Sequence, residues 1–367
     1  MARRVRVLFL IPHLGGGGAE RVISLLAAGV SADKYEVHLG LVTRADAGDT
    51  RLPPWVTIHS LGARRVRCAA LGLLGLVRGL KPDIILSGIA HLNLLVLLLR
   101  PFFSKKAVVL VRQNATVSSA LAMSGVPTYT RCLYRLLYGR ADRVICQSRA
   151  MAADLIRELN LREELVTVLP NPVNLEEIRR ARSSNVVPWP LKGPHLLAIG
   201  RLAPEKGFDL LLVAFATVRA VYPGASLALL GAGTEEAALR TLCHELGLDE
   251  AVRFYGYVSN PYAFFRGTTL FALPSRHEGM PSALLEAVVA GLPIVASPCS
   301  GGVVDFLRGH TEAWIAPATT AEGLAKTLLE AFRALGADGR LGQTFAQGPS
   351  PRQRLAFFPA SSSSWLV

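Results

Sequence analysis

The sequence predicts two doubly wound α/β domains in tandem, each a parallel sheet with helices on both faces. Three observations predict it. Short runs rich in Val, Ile and Leu alternate with helix-length amphipathic stretches through most of the 367 residues, as expected for strands buried on both faces. A turn-rich break, Pro170-Asn-Pro-Val-Asn174, and a Ser/Pro/Asn connector over 183–194 interrupt the alternation, which then starts afresh. The length suits two domains of about 100–200 residues each. Charged residues are 18% and apolar residues 51%, which excludes disorder and coiled coil for the bulk of the chain.

In the first half, strands are expected at 5–11, 36–42, 56–60, 83–87, 107–111, 143–146 and 165–169. Helices are expected at 20–29, 68–80, 128–138 and 148–159. The apolar run at 7–11 ends at Pro12 and is shorter than the roughly 7–15 residues of a secretory core, so it reads as a buried first strand. The stretch 84–103 reads as a strand and a buried helix, because Ser87, His91 and Asn93 interrupt it. After the break, strands are expected at 195–199, 226–230, 252–255, 270–273, 293–296 and 314–316. Helices are expected at 207–222, 235–246, 282–290 and 321–335. The domains expected are thus 1–172 and 194–336, with a linker over 173–193 and an atypical, disordered tail over 337–367.

Composition narrows the function classes. Lys and Arg total 40 against 27 Asp and Glu. Residues 1–170 hold 23 basic and 11 acidic side chains, and the remainder 17 and 16. A basic half beside a near-neutral one suggests an anionic partner for the first half. No basic–aromatic module interrupts the pattern, so nucleic acid is not expected. The five cysteines form no C-x-x-C or Cys/His cluster, which points to neither a disulfide framework nor a zinc site.

Candidate chemistry sits where strands end. Glu278-Gly-Met-Pro-Ser-Ala-Leu-Leu-Glu286 follows a strand and opens a helix. A helix amino end offers N–H groups and partial positive charge to a diphosphate. Gly279, Met280, Ser282 and Ala283 line that start, and Glu286, one turn on, would reach ribose hydroxyls. Arg201 and Lys206, in Gly200-Arg-Leu-Ala-Pro-Glu-Lys-Gly207, lie at the carboxyl end of another strand, where they would neutralise a leaving diphosphate. Gly231 and Gly233 form an incomplete dinucleotide loop. Tyr257, in Phe-Tyr-Gly-Tyr-Val, fits a base pocket or a core equally well. In the first half, Gly15, Gly16 and Gly17 join strand to helix and let backbone approach a ligand. His91, Asn93, Arg112 and Asn114 follow two further strands and are candidates on the acceptor side.

These segments, in this order, resemble the signatures of glycosyltransferase family 4: Gly200-Arg-Leu…Glu-Lys-Gly207, Gly231-Ala-Gly233, Tyr255-Gly-Tyr-Val258 and Ser275-Arg-His-Glu-Gly-Met-Pro…Glu286. The resemblance covers residues 1 to about 335. It implies a GT-B fold, two Rossmann-like domains facing across a cleft, and transfer of a hexose or N-acetylhexosamine from a nucleotide sugar, UDP-linked, with retention. Arg201, Lys206 and Glu278 are then catalytic and the remaining candidates of the second half, with the glycine loop, bind the donor. Many relatives carry His where this chain has Gln113. The Gly-Gly-Ala-Glu-Arg segment is similar to that of bacterial members building surface glycans, so the expected acceptor is a glycan or polyprenyl diphosphate. No D-x-D motif is present, and neither a metal nor another cofactor is expected. Arg64, Arg65, Arg67, Arg100, Lys105, Lys106, Arg131, Arg135 and Arg140 suit an anionic membrane surface, with a cytoplasmic location peripheral to the inner face of the cell membrane. Two alternatives remain: a sugar-nucleotide epimerase of the same architecture, and a degenerate binding relative suggested by the tail.

Overall fold

The computed structural model describes residues 3–15, 17–43, 52–118, 129–182, 189 and 193–337. They form two compact units that divide between Pro172 and Val173. Gly16 and the tail expected beyond 337 lie outside the described residues.

The first unit holds strands β1 (Val5–Ile11), β2 (Tyr35–Leu41), β3 (Val56–Ser60), β4 (Ile84–Ser87), β5 (Val108–Arg112), β6 (Arg143–Cys146) and β7 (Val166–Val168). All pairings are parallel, in the order β3-β2-β1-β4-β5-β6-β7. Its helices are α1 (Gly18–Gly29), α2 (Ala70–Leu80), α3 (Ala90–Leu99), α4 (Tyr129–Tyr138) and α5 (Arg149–Leu159). Strand residues alternate between two cores. Leu8, Leu10, Ile85, Val109 and Val111 face α2 to α5, whereas Val7, Phe9, Ile11, Leu86 and Leu110 face α1. Burial on both faces is why these strands read as unbroken apolar runs.

The second unit has strands β8 (His195–Ile199), β9 (Ser226–Leu230), β10 (Val252–Phe254), β11 (Leu270–Leu273), β12 (Ile294–Ala296) and β13 (Ala313–Ile315). Their order is β10-β9-β8-β11-β12-β13, again parallel. Its helices are α6 (Leu175–Arg182), α7 (Phe208–Val221), α8 (Glu236–Glu245), α9 (Ser282–Val289), α10 (Gly301–Leu307) and α11 (Ala321–Ala337). Two of these differ from expectation. Helix α6 occupies part of the expected linker: Asn174 accepts a hydrogen bond from the Glu177 N–H at 3.1 Å, and Ile178 is buried in this unit's core. That is a capped helix start with acid in its first turn. Helix α10 begins with two glycines, but Ser300 caps it through the Val303 N–H at 3.3 Å.

Each sheet reverses its strand order once, at β1/β4 and at β8/β11. Loops at the carboxyl ends of those neighbours diverge in opposite directions and leave the usual ligand position of a doubly wound sheet.

Gly207 fixes the loop after β8. Its φ is +66°, and a Cβ there would lie 2.2 Å from the Pro274 carbonyl oxygen. The αL conformation costs a non-glycine residue about 1–2 kcal/mol before any clash. Gly207→Ala is therefore expected to lower the urea midpoint by more than that amount alone would; an unchanged midpoint contradicts the packing described.

His195 stacks on Trp189 with centroids 4.5 Å apart, and its Nδ1 pairs with Ser226 Oγ at 2.8 Å. Burial pushes its pKa down to about 4. The unfolded chain binds this proton first, so the stability of the neutral ring is present above about pH 6.5 and is lost as the pH falls towards 4. The loss has an upper bound of about 3 kcal/mol. Unfolding measured at pH 7.5 and pH 5 is expected to show a smaller acid loss in His195→Leu than in the parent chain.

Candidate functional site

The strongest constellation of the second unit straddles the β8/β11 reversal. The loop after β8 carries Arg201, Glu205 and Lys206; the loop after β11 carries Ser275, Arg276 and Glu278. Backbone contacts lock the two together. The Arg276 N–H donates to the Glu205 carbonyl at 2.8 Å. The Arg276 guanidinium donates to both Asp209 carboxylate oxygens, at 2.7 and 2.5 Å, and to the Pro204 carbonyl at 2.8 Å. This two-pronged bond holds the Asp209 carboxyl below its usual range.

Within this frame Lys206 Nζ donates to Glu278 Oε1 at 2.5 Å, and Ser275 Oγ donates to the same oxygen at 2.9 Å. The side chains of Lys206 and Glu278 are 22% and 11% exposed, so the pair is largely dry. Ser297 Oγ, just after β12, donates to the Ser275 carbonyl at 2.5 Å and fixes the turn from below. The neighbouring Cys299 thiol is pushed up to about 12, by burial first and by the Glu278 charge second. Glu278 stands three residues before Pro281, the N-cap of α9. Gly279 and Met280 are buried and Ser282 and Ala283 half-buried at that helix start. An ammonium and a carboxylate are thus paired at the segment that leads into α9.

Arg201 does not join them. Its side chain is 70% exposed and donates to Glu205 Oε1 at 2.6 Å. Glu286 is also placed differently from a solvent-facing ribose ligand. It is 5% exposed on the second turn of α9, and its Oε1 accepts from the Tyr262 hydroxyl at 3.1 Å. Tyr262, fully buried in the short turn Pro261–Phe265, is a partner that sequence reasoning missed. Its aromatic run signals only a core. Gly231 and Gly233 press on the loop after β8: a Cβ at either would fall 1.8 Å from Gly200 O or 2.1 Å from Leu202 O. Packing against that loop requires glycine at both positions. Tyr257 is exposed, next to Gly256 at φ +64°.

In the first unit, Gly15 and Gly17 belong to the turn that starts α1. The Gly15 N–H donates to His13 Nδ1 at 3.0 Å and the Gly17 N–H to the Gly15 carbonyl at 2.8 Å. His91 is exposed on the first turn of α3. Asn93 and Arg112 need correction, since both are completely buried. Asn93 Nδ2 donates to the Arg112 carbonyl at 2.9 Å and to the Tyr138 hydroxyl at 3.3 Å. That hydroxyl donates to Gln113 Oε1 at 2.7 Å. Arg112 Nη2 donates to Asn171 Oδ1 at 2.6 Å and to the Leu169 carbonyl at 3.1 Å. Burial pushes its guanidinium down to about 10. Both residues serve the interior rather than an acceptor surface. Asn114 accepts from Gln147 Nε2 at 3.0 Å and donates to the Gly88 carbonyl. It holds the loop between β4 and α3 in place.

Comparison with known proteins accounts for both units. The model for glycosyl transferases group 1 matches residues 179–336, and that for glycosyltransferase family 4 matches residues 16–177. A Campylobacter jejuni N-acetylgalactosamine-N,N'-diacetylbacillosaminyl-diphospho-undecaprenol 4-alpha-N-acetylgalactosaminyltransferase is 28% identical over 305 residues, 80% of either chain. Sucrose-phosphate synthase from Thermosynechococcus elongatus shares the fold with a TM-score of 0.78 at 18% identity, over 92% of both chains. A glycosyltransferase from Rickettsia africae does so with a TM-score of 0.71 at 15% identity, over 92% of this chain and 90% of that one. With its two halves matched by glycosyltransferase models and its two parallel sheets recurring in solved relatives, the chain belongs to glycosyltransferase family 4, an enzyme family of GT-B fold.

Proposed function

We propose that this enzyme is a retaining, metal-independent glycosyltransferase that moves a hexose or N-acetylhexosamine from a UDP-linked donor to a polyprenyl-diphosphate-linked or other cell-surface glycan. The Lys206–Glu278 pair beside the amino end of α9 carries the reading. A donor's diphosphate would take the Lys206 ammonium and the helix dipole, and Glu278, released from the lysine, would accept hydrogen bonds from the sugar. As the bond from the anomeric carbon to phosphate oxygen breaks, a bond to the acceptor oxygen forms on the same face. The acceptor proton passes to the departing phosphate. Preorganised positive charge at the leaving group does the work that a metal does elsewhere. Gly15, Gly16, Gly17, Gly231, Gly233, Gly279, Met280, Ser282, Ala283, Tyr257 and Glu286 are assigned to the donor, Glu286 through its buried carboxylate. Arg201 would reach the diphosphate by exchanging Glu205 for it.

The polyprenyl acceptor follows the relative from Campylobacter, whose name specifies a diphospho-undecaprenol substrate. Among the described residues no helix is long and apolar enough to cross a membrane, so such an acceptor would be met by surface docking. Exposed Arg135 and Leu136 on α4, and the separate exposed segment with Phe102 and Lys105, offer cations beside apolar side chains, while Arg131 is paired with Glu158 at 2.9 Å. Arg100 contributes less, since it is bonded to the Ala107 carbonyl and Asp142.

Incubation with a panel of UDP- and GDP-sugars, read by mass spectrometry, is expected to give donor hydrolysis or transfer with a UDP-sugar. Lys206→Ala is expected to lower kcat by about 100- to 1,000-fold, as when one preorganised donor is lost, and Glu278→Gln to raise the donor KM. Parent-like turnover in Lys206→Ala would sink the reading. Co-sedimentation with phosphatidylglycerol vesicles is expected to fall in Arg131→Glu/Arg135→Glu and to be absent with phosphatidylcholine alone.

A further inference from the structure

Helix α9 and the short turn Pro261–Phe265 meet at one buried hydrogen bond. The Tyr262 hydroxyl donates to Glu286 Oε1 at 3.1 Å, across 24 residues of chain. Neither residue has appreciable access to water. A carboxylate so placed is costly unless it is hydrogen-bonded. Packing gives no reason for it, because its neighbours on α9, Leu284, Leu285 and Ala287, are buried apolar residues. An apolar side chain would fill the same position at lower cost. A buried carboxylate supplied with a dedicated donor fits a binding role better than a packing role.

The turn that carries the donor is pinned on several sides. Asn260 Oδ1 accepts the Tyr262 N–H at 3.2 Å. The Phe264 carbonyl accepts from Thr268 Oγ1 at 2.6 Å and from Trp189 Nε1 at 3.2 Å. The Tyr262 ring packs on Phe265 with centroids 5.4 Å apart. A tyrosine held this way delivers its hydroxyl to a fixed point, with only the O–H torsion left to turn.

We propose that Tyr262 is a positioning residue for the donor: its hydroxyl fixes the Glu286 carboxylate in the orientation that accepts the ribose hydroxyls of the nucleotide. The proposal rests on the transferase reading, in which Glu286 belongs to the donor, and adds the group that aims it. The phenol takes one of roughly four acceptor positions of a carboxylate. A carboxylate oriented in advance loses little freedom when the ribose arrives, so more of its hydrogen-bond energy appears as affinity. Because Tyr262 acts through Glu286, its contribution falls on ribose recognition and not on the diphosphate at Lys206.

The test compares UDP with its analogue lacking both ribose hydroxyls, dideoxy-UDP, by calorimetry on the full chain. The parent is expected to prefer UDP by about 10- to 100-fold, as for hydrogen bonds to a charged group. Tyr262→Phe keeps the ring and removes only the hydroxyl. It is expected to cut that preference about tenfold while binding dideoxy-UDP as the parent does. In Glu286→Ala the preference is expected to be small and to stay the same when Tyr262→Phe is added. In turnover, Tyr262→Phe is expected to raise the donor KM and to leave kcat in place. A measurement on the parent alone complements the variants: the Tyr262 Cζ signal, followed by carbon NMR, is expected to move with UDP and not with dideoxy-UDP. An undiminished preference in Tyr262→Phe, equal weakening of both ligands, or a Cζ signal that UDP does not move would overturn the proposal and leave the transferase reading standing. A parent chain that binds no UDP removes that reading and this inference with it.

Discussion

The hydrogen bond between Lys206 and Glu278 joins residues 72 positions apart in the chain, and the second unit is arranged around it. A carboxylate and an ammonium with little access to water are each costly alone and tolerable together. Their meeting depends on backbone: Gly207 in the left-handed region, the Arg276 N–H on the Glu205 carbonyl, and the Arg276–Asp209 fork. These bonds hold the loops after β8 and β11 together before any ligand arrives. Such preorganisation spares the reacting state the work of assembling charge.

The first unit solves a related problem with neutral groups. Behind the ends of β4, β5 and β6 lies a sealed polar layer in which Asn93, Tyr138 and Gln113 are bonded in series. Burial raises the Tyr138 hydroxyl far above its ordinary range, so it stays a proton donor. Arg112 is the expensive member. Among the described residues its Nε and Nη1 find no hydrogen-bond partner, and its Nη2 donates to the neutral oxygens of Leu169 and Asn171. A guanidinium held this way fixes the exit of β7 through Leu169 and Asn171, at the cost reflected in its lowered pKa.

Much of the fold was legible because strands buried on both faces leave continuous apolar runs. Every described strand overlaps a run that the alternation marks. Helix α6 was not legible, since Asn174 and two glutamates beside prolines read equally well as a turn. The site was legible as positions rather than as geometry. Lys206 and Glu278 each follow a strand, and the rule that ligands gather at strand ends picks both out. The rule is silent on side-chain direction. Arg112 ends a strand just as Glu278 follows one, yet it turns into the interior. The Tyr262–Glu286 bond was hidden for the same reason: a tyrosine within an aromatic run shows its ring in the sequence but not where its hydroxyl points.

The uneven charge gains meaning from these contacts. In the second unit the cations nearest the proposed diphosphate position each face a carboxylate: Lys206 with Glu278, Arg201 with Glu205, Arg276 with Asp209. Paired charges create a strong local field and almost none at long range, because opposite signs a few ångströms apart cancel beyond a Debye length of roughly 8–10 Å. An excess of twelve positive charges over residues 1–170 acts differently. Where its side chains are exposed, as at Arg64, Arg65, Lys105, Lys106 and Arg135, it yields a field that would reach an anionic surface before contact does. Short-range pairing suits discrimination of a small donor, and long-range excess suits capture of a large anionic surface. The same chain holds both because they occupy separate folding units.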